Sequence, residues 1–498
     1  MADLRPKIQP VALSALKEFK VAGVPALDVF ITGVTHDSSQ VHVGDLFVAL
    51  SGKSNHGADF AASAIGAGAV AILTDGVGRT ILRNESRVPI LTLENLRSHL
   101  GSIAAKIYGH PSKKLKVFAV TGTNGKTTTS WLLQRGLLAA GIPTALFGTA
   151  GIKIGEIEIA SERTTPEAPQ LQAMLALAVE QGISAVVMEV SSIALAMNRV
   201  DGIWFESVGF TNLSQDHLDF HGSMDEYFKV KQLLFNKKYS DFAVICLNDE
   251  WGQRLAAECE ITKSTVGTSE YANWRLHDIS PALGHVDFNL IPPHKSKIEV
   301  KLEFAGAFNA FNAALAIAMT SQLSISRELF LQGLRSAHVP GRMEPILVPG
   351  MAFGVVDYAH TPAAIEVVIE TLRTQTHGKV FAVIGAGGNR DSSKRVLMGE
   401  AVSKADLIVV TDDNPRDEDP ASIRKAILSG IVDKSKAVEI ADRAEAIKFA
   451  VSKSTEADTI VILGKGHETY QEVKGEQLAF SDSEVLKTAL TKGVWAND

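Results

Sequence analysis

Short apolar runs separated by turn residues punctuate this chain, and their grammar changes twice. Runs at 45–50, 69–73 and 88–93 lie between Gly- and Ser-rich turns; they predict short buried strands in a small α/β module. An amphipathic stretch over 96–108 predicts a helix, broken at His110-Pro111-Ser112. From Lys116 the pattern becomes strand then helix, repeated. Buried strands are predicted at 117–122, 184–190, 207–212 and 242–248, with helices from Gly125 and from Asp249. Apolar runs of this length alternating with helices indicate a mostly parallel sheet covered on both faces. An Asn-capped helix over 307–322 and a second helix ending near Ser336 close this region. The Pro340-Gly341 pair is the next boundary. Beyond it, runs at 353–359, 379–388, 406–413, 437–442 and 458–466 predict a Rossmann-like α/β unit. The expected fold class is α/β in three domains: 1–94, 95–340 and 341–498.

Composition narrows the picture. A chain of 498 residues should hold about three domains. With 46% apolar and 21% charged residues it is globular. The 49 basic and 56 acidic residues give a net charge of −7, which excludes wholesale binding to nucleic acid or to anionic membranes. Cys246 and Cys259 are the only cysteines, so neither a disulfide framework nor a Cys-rich zinc site is possible. The first twenty residues lack a signal-peptide core, and no apolar run reaches bilayer length. A soluble cytoplasmic protein with no membrane insertion is expected.

The strongest chemical signal is 119–128, Ala-Val-Thr-Gly-Thr-Asn-Gly-Lys-Thr-Thr, placed between a buried strand and a helix. Backbone N–H groups there and the helix N-terminus can face an anion. Gly122 and Gly125 allow close approach, Lys126 can neutralise phosphates, and Thr127 can offer its hydroxyl to Mg²⁺. Val120 stands where the strict phosphate-loop pattern has its first glycine. The bland alternative is a Gly-rich turn opening an ordinary helix. Glu189 ends a strand expected beside this loop and is either a Mg²⁺ ligand or a surface or capping carboxylate. Asp216, His217 and Asp219 crowd one polar turn, and Lys231 sits on a helix over 224–235. Asp357 could bind a ribose hydroxyl and His360 could line a base pocket, or both simply end a strand. The glycine run from Gly385 resembles a dinucleotide loop only weakly. Arg416 projects from a turn at a strand's end, and Glu468 beside it could bracket a zwitterion.

In this order these motifs resemble the Mur ligase family of peptidoglycan precursor synthesis, over nearly the whole chain. The resemblance implies a uridine-nucleotide domain, a central ATPase and a C-terminal Rossmann-like domain. It also implies an ATP-dependent ligase joining an amino acid to a carboxylate through an acyl phosphate. Asp37-Ser38-Ser39, Thr164-Thr165-Pro166, Asp413-Asn414-Pro415-Arg416 and 464–468 are most similar to members that add meso-diaminopimelate to UDP-N-acetylmuramoyl-L-Ala-D-Glu. By the same resemblance Gly122, Thr123, Asn124, Gly125, Lys126, Thr127 and Thr128 hold ATP, with Asn309, Arg342, Asp357 and His360 completing the nucleotide site. Thr127, Glu189, His217 and Lys231 hold Mg²⁺, Lys231 as a carbamate formed from CO₂. Lys126, Glu189, His217, Lys231 and Arg342 form the catalytic group. His36, Ser38, Lys53, Ser54 and Asn55 take the uridine nucleotide, while Thr164, Thr165, Ser191 and Arg199 take the muramoyl dipeptide. Arg390, Asp413, Asn414, Pro415, Arg416, Gly464 and Glu468 receive the amino acid. A monomer is the expected state. The family's usual pattern is altered at Ser39, Ile193, Met197 and Asn389. Three other readings compete: a lysine-adding ligase of the same step, a folylpolyglutamate synthetase, and a nucleotide-gated binding protein without catalysis.

Overall fold

The computed structural model describes residues 5–52, 55–82, 86–161, 163–293, 296–389 and 391–495. Each of the three units is built on a sheet. Four parallel strands, Gly33–Thr35, Asp45–Ala49, Ala71–Thr74 and Ile90–Thr92, form the N-terminal one. The helix Leu96–Ile107 follows, and Ala168 and Ala176 of the next unit share its core.

The central sheet has eleven strands. Thr144–Gly148, Ala185–Glu189, Lys116–Thr121, Ser207–Phe210, Phe242–Cys246, Thr262–Gly267 and Trp274–Ala282 run parallel in that spatial order. In Lys116–Thr121 the side chains of Phe118 and Val120 enter one core, and those of Val117 and Ala119 the other. With both faces covered, the strand reads as one continuous apolar run. Val120 replaces the glycine of the strict loop pattern without difficulty, because it pairs within the sheet with Glu189 and Gly209. Antiparallel strands flank the parallel block, Gly151–Ile154 and Ile157–Ile159 on one side, His285–Ile291 and Ile298–Leu302 on the other.

Two expectations need correction. The helix Ala307–Met319 is not Asn-capped: its cap is Gly306 at φ 104°, with no side-chain bond. Nearly every residue of this helix is buried, so Asn309 and Asn312 turn inward. Asn309 Nδ2 donates to Ala305 O at 2.7 Å, and Asn312 Nδ2 donates to Asn309 Oδ1 at 3.0 Å. The helix expected over 224–235 ends at Gln232; the last residues tighten into turns, with Leu234 N donating to Lys231 O and Phe235 N to Gln232 O.

The C-terminal sheet contains all five expected strands, in the order Phe353–Asp357, Thr459–Leu463, Val380–Ile384, Leu407–Val410, Ala437–Glu439, all parallel. Glu344–Ile346 adds an antiparallel edge. The loops after three central strands, at 385–391, 411–419 and 464–468, therefore gather at one end of the sheet, where ligands of open α/β folds sit. Beneath them lies a fully buried ion pair. Arg443 Nε and Nη2 donate to the two Asp482 oxygens, both at 2.8 Å, and Nη2 also donates to Leu463 O at 2.9 Å. Among the described residues no helix is long and apolar enough to cross a membrane.

Removing one member of such a pair leaves a buried charge uncompensated. Asp482→Ala should lower unfolding stability by about 3–5 kcal/mol in urea titrations. A change below about 1 kcal/mol would mean the pair bears little on the C-terminal unit.

Candidate functional site

The loop after strand Lys116–Thr121 turns on Gly122 (φ 145°) and Gly125 (φ 84°). A Cβ on Gly125 would stand 2.4 Å from Asn312 Oδ1, so only glycine fits. Segment 211–214 braces the loop. Asn124 N donates to Asn212 Oδ1 at 3.0 Å, Thr211 Oγ1 donates to Asn124 O at 2.6 Å, and Ser214 N donates to Thr123 Oγ1 at 3.0 Å. The helix Lys126–Ala139 then begins, with Thr127 and Thr128 buried in its first turn. Lys126 Nζ folds back to donate to Gly122 O at 2.9 Å and Thr123 O at 2.8 Å. Lys231 Nζ donates to the same Gly122 O at 2.9 Å and lies 4.7 Å above the Tyr227 ring. Burial, reinforced by Lys126, drives the Lys231 ammonium well below its ordinary pKa. Burial likewise lowers Lys126, against the pull of Glu189 and Asp216.

Glu189 is buried and is neither a cap nor a surface carboxylate. Its Oε2 accepts from Thr127 Oγ1 and Thr149 Oγ1, both at 3.1 Å, and its Oε1 accepts from Thr149 N at 2.9 Å. Arg342, from the C-terminal unit, donates through Nη2 to Thr127 Oγ1 at 3.2 Å and stacks 4.4 Å over Tyr358. His217 takes a left-handed backbone, half-exposed, with Nε2 3.5 Å from Asp216 Oδ2. Burial and then the two lysines hold its pKa down against Asp216. Burial opposes ionisation of Asp216, but His217, His360, Lys394 and Lys126 together keep its pKa low. Asp357 accepts from Met343 N and Ala359 N, each at 2.7 Å, which anchors the chain on either side of its strand; burial raises its pKa against Arg342. His360 Nδ1 lies 2.9 Å from Tyr358 O. His467 Nε2 lies 3.2 Å from Thr149 O, so a second C-terminal residue meets the Glu189 cluster.

The dipeptide candidates also converge. Thr165 Oγ1 donates to Glu189 O at 2.9 Å, Ser191 N donates to Thr165 Oγ1 at 3.2 Å, and Thr164 Oγ1 lies 3.1 Å from Thr149 Oγ1. Arg199 donates to Thr165 O at 3.1 Å and pairs with Glu167 at 2.9 Å. The sequence reading missed Glu167, which also meets Arg97 at 3.2 Å and Arg163 at 3.6 Å and pulls on nearby His36. No local pattern marks it: its burial and its pairing with Arg199 are set by the fold. Burial lowers the His36 pKa despite Glu167. Ser38 opens a short 3₁₀ turn and Asn55 is exposed; Lys53, Ser54 and Arg390 lie outside the described residues. A cleft of about 600 Å³ at the same end of the N-terminal sheet is lined by Leu50, Ser51, Asp75, Glu94, Asn95 and Asn198.

The amino-acid candidates meet at the C-terminal strand ends. A Cβ on Gly388 would lie 1.9 Å from Pro415 O, and one on Gly464 2.6 Å from Asp413 Oδ2. The glycines of these loops are thus explained by close packing. Lys465, fully buried and also missed, donates to Asn414 Oδ1 at 2.9 Å and Glu468 Oε2 at 2.8 Å, while Asn414 Nδ2 donates to Glu468 Oε2 at 2.7 Å. Arg416 pairs with Glu472: its Nε donates to Glu472 Oε2 at 3.0 Å, and its Nη1 donates to Gly388 O at 2.7 Å.

Residues 30–108 match the Mur ligase family catalytic domain, 120–320 the Mur ligase middle domain, and 341–466 the Mur ligase glutamate ligase domain. The chain is 43% identical over 487 residues to a UDP-N-acetylmuramoyl-L-alanyl-D-glutamate–2,6-diaminopimelate ligase of Corynebacterium glutamicum, covering 94% of each chain. It belongs to the Mur ligase family. A Streptomyces coelicolor protein of the same name is 41% identical, with 97% of this chain and 98% of that one covered. A solved structure of a ligase so named superposes with a TM-score of 0.70 at 30% identity, over 98% of this chain and 100% of that one.

Two histidines of this Mur ligase make its stability acid-sensitive. His360 and His467 are each lowered to about 4, by burial first, then by Lys394 for His360 and Arg342 for His467. The unfolded chain protonates them near 6.5 and so binds more protons between about pH 6.5 and 4. Stability is complete above that window and falls with pH through it, by about 1.4 kcal/mol per pH unit for each histidine. His467→Gln should lose less stability than the parent between pH 7 and pH 5 in urea titrations; an equal loss would assign the acid sensitivity elsewhere.

Proposed function

We propose that this Mur ligase adds meso-diaminopimelate to the γ-carboxylate of D-Glu in UDP-N-acetylmuramoyl-L-Ala-D-Glu, at the expense of ATP, in peptidoglycan precursor synthesis. The carrying observation is that a phosphate loop, a buried hydroxyl–carboxylate pair and a cluster of amino-acid-type contacts share one boundary, at Arg342. The names of its relatives support the substrates. We place the domain boundaries at 94/95 and 340/341.

The donor set suits a magnesium-bound triphosphate. The two glycines leave room for phosphates, Lys126 can leave its loop carbonyls for them, and Thr127 with Glu189 offers hard oxygen ligands. Mg²⁺ bound there would supply charge against the repulsion between phosphate and carboxylate. His217 and Lys231 would serve a second ion. Lys231 suits carbamylation because a buried, readily neutral amine keeps the lone pair that CO₂ needs. Asn309, Asp357 and His360 complete the nucleotide pocket in this reading. Arg342, beside Thr127, would balance charge on the phosphoryl oxygens.

Transfer of the γ-phosphoryl turns the acid into an acyl phosphate and releases ADP. The amine of diaminopimelate attacks the acyl carbon, and phosphate leaves with one oxygen of the former acid. The residues around Thr165 and Arg199 hold the dipeptide, His36, Ser38 and Asn55 the uridine nucleotide, and 413–416 with Gly464 and Glu468 the amino acid. All come from one chain, so a monomer suffices. ATP and nucleotide-sugar substrates put the work in the cytoplasm.

The deciding experiment incubates pure protein with ATP, Mg²⁺ and the UDP-linked dipeptide, adds diaminopimelate or lysine, and reads product mass. ¹⁸O in the acceptor acid should appear in the released phosphate; its absence overturns the scheme. Lys126→Ala should abolish phosphate release with either amino acid. Arg416→Ala should cut kcat/KM for diaminopimelate roughly 30-fold or more, the factor for about 2 kcal/mol of lost charge-assisted bonding. An unchanged rate would remove Arg416 from the pocket.

A further inference from the structure

The central sheet finishes on strand Ile298–Leu302, which pairs with His285–Ile291 on one side. Among the described residues no strand pairs with its other edge. Burial alternates along it: Ile298, Val300 and Leu302 enter the central core, while Glu299 and Lys301 are exposed. Lys297 and Glu303, just outside the strand, are exposed as well. The exposed row therefore reads Lys297, Glu299, Lys301, Glu303. Its present partners are solvated ones. Lys297 Nζ lies 3.4 Å from Glu299 Oε1, Lys301 Nζ 3.9 Å from Asp287 Oδ2, and Arg335 Nε 3.2 Å from Glu303 Oε1, with every one of these side chains well exposed. Exposed pairs of this kind contribute little. An open groove of about 1060 Å³ adjoins the start of the strand, with Ile291, Pro292, Lys297, Arg327 and Leu331 in its lining.

We propose that this edge is an interface between two copies of the chain, joined antiparallel about a twofold axis at Val300 so that their central sheets become one. A charged edge strand normally keeps a second copy away; the order of the charges decides whether it does. A twofold axis normal to the sheet leaves both strands with the same face toward their cores. Only registers that set exposed positions opposite exposed ones then keep the apolar row buried. Centred on Val300, the exposed row sets Lys297 opposite Glu303 and Glu299 opposite Lys301, each twice, and opposite charges across a strand pair attract. On the apolar side Ile298 meets Leu302, and Val300 meets its own copy. Moving the axis to Glu299 or to Lys301 sets like charges against each other. Charge order thus admits one register. It brings Glu303 of the second copy to the groove that Lys297 and Arg327 line. The backbone groups open at the edge supply affinity, as they do for any added strand. No residue of the phosphate loop, the Glu189 cluster or the 413–416 loop lies in this edge, so the ligase reading stands or falls apart from it.

The test reads the mass of the full chain in solution by sedimentation equilibrium across the micromolar range. The parent should reach twice the mass of one chain. Glu299→Lys and Lys301→Glu should each raise the dissociation constant about tenfold or more, the factor for about 1.4 kcal/mol, because each sets like charges opposite one another at two places. The double variant, Glu299→Lys with Lys301→Glu, should associate like the parent. An equal mixture of the two single variants should also associate, because their altered rows complement each other. Both positions are exposed, so the variants should unfold at the parent's temperature. A parent that stays at the mass of one chain overturns the proposal and leaves the edge to solvent or to a different protein. Dimers that ignore both single substitutions overturn it too, as does a mixture that remains monomeric.

Discussion

Two buried ammonium groups share one carbonyl oxygen, and the active region is organised around that arrangement. Lys126 and Lys231 both donate to Gly122 O, and among the described residues no carboxylate is bonded to either. Burial, and after it the repulsion from Lys126, makes Lys231 readily neutral. A polyanion entering the loop would relieve the same tension by drawing Lys126 outward. The glycines, the brace from 211–214 and the Tyr227 ring all serve to hold this unfavourable geometry in place. Local cost of this kind is usual at sites prepared for a charged ligand.

Around that point the three units are joined by polar contacts in addition to the apolar ones that Ala168 and Ala176 make with the N-terminal core and Ala305 with the C-terminal one. Arg342 reaches Thr127, His467 reaches Thr149, and Arg97 of the N-terminal helix reaches Glu167 beside Arg199. Each contact ends on a residue that touches Glu189 or the segment leading from it.

Much of this was legible in the chain. The parallel strands were visible because burial on both faces leaves them uniformly apolar, and the phosphate loop because few other arrangements demand Gly, Lys and Thr in that register. The antiparallel strands His285–Ile291 and Ile298–Leu302 were missed because they alternate buried and half-exposed residues and carry several charges. At the site, the partners of the motif residues did not announce themselves. Glu167, Lys465, Glu472 and Tyr227 act through contacts across tens of residues of sequence, or across a hairpin, which no local pattern encodes. Arg416 is a further case: its motif gives no sign of Glu472, which the hairpin of strands Tyr470–Val473 and Glu476–Ala479 brings to its Nε.

Gly341 lies so close to the 464–468 loop that a Cβ there would stand 2.1 Å from His467 N. The joint between the second and third units and the 464–468 loop are thus one mechanical part. A side chain at position 341 would push on the 464–468 loop, and through His467 on its contact with Thr149 O in the central unit.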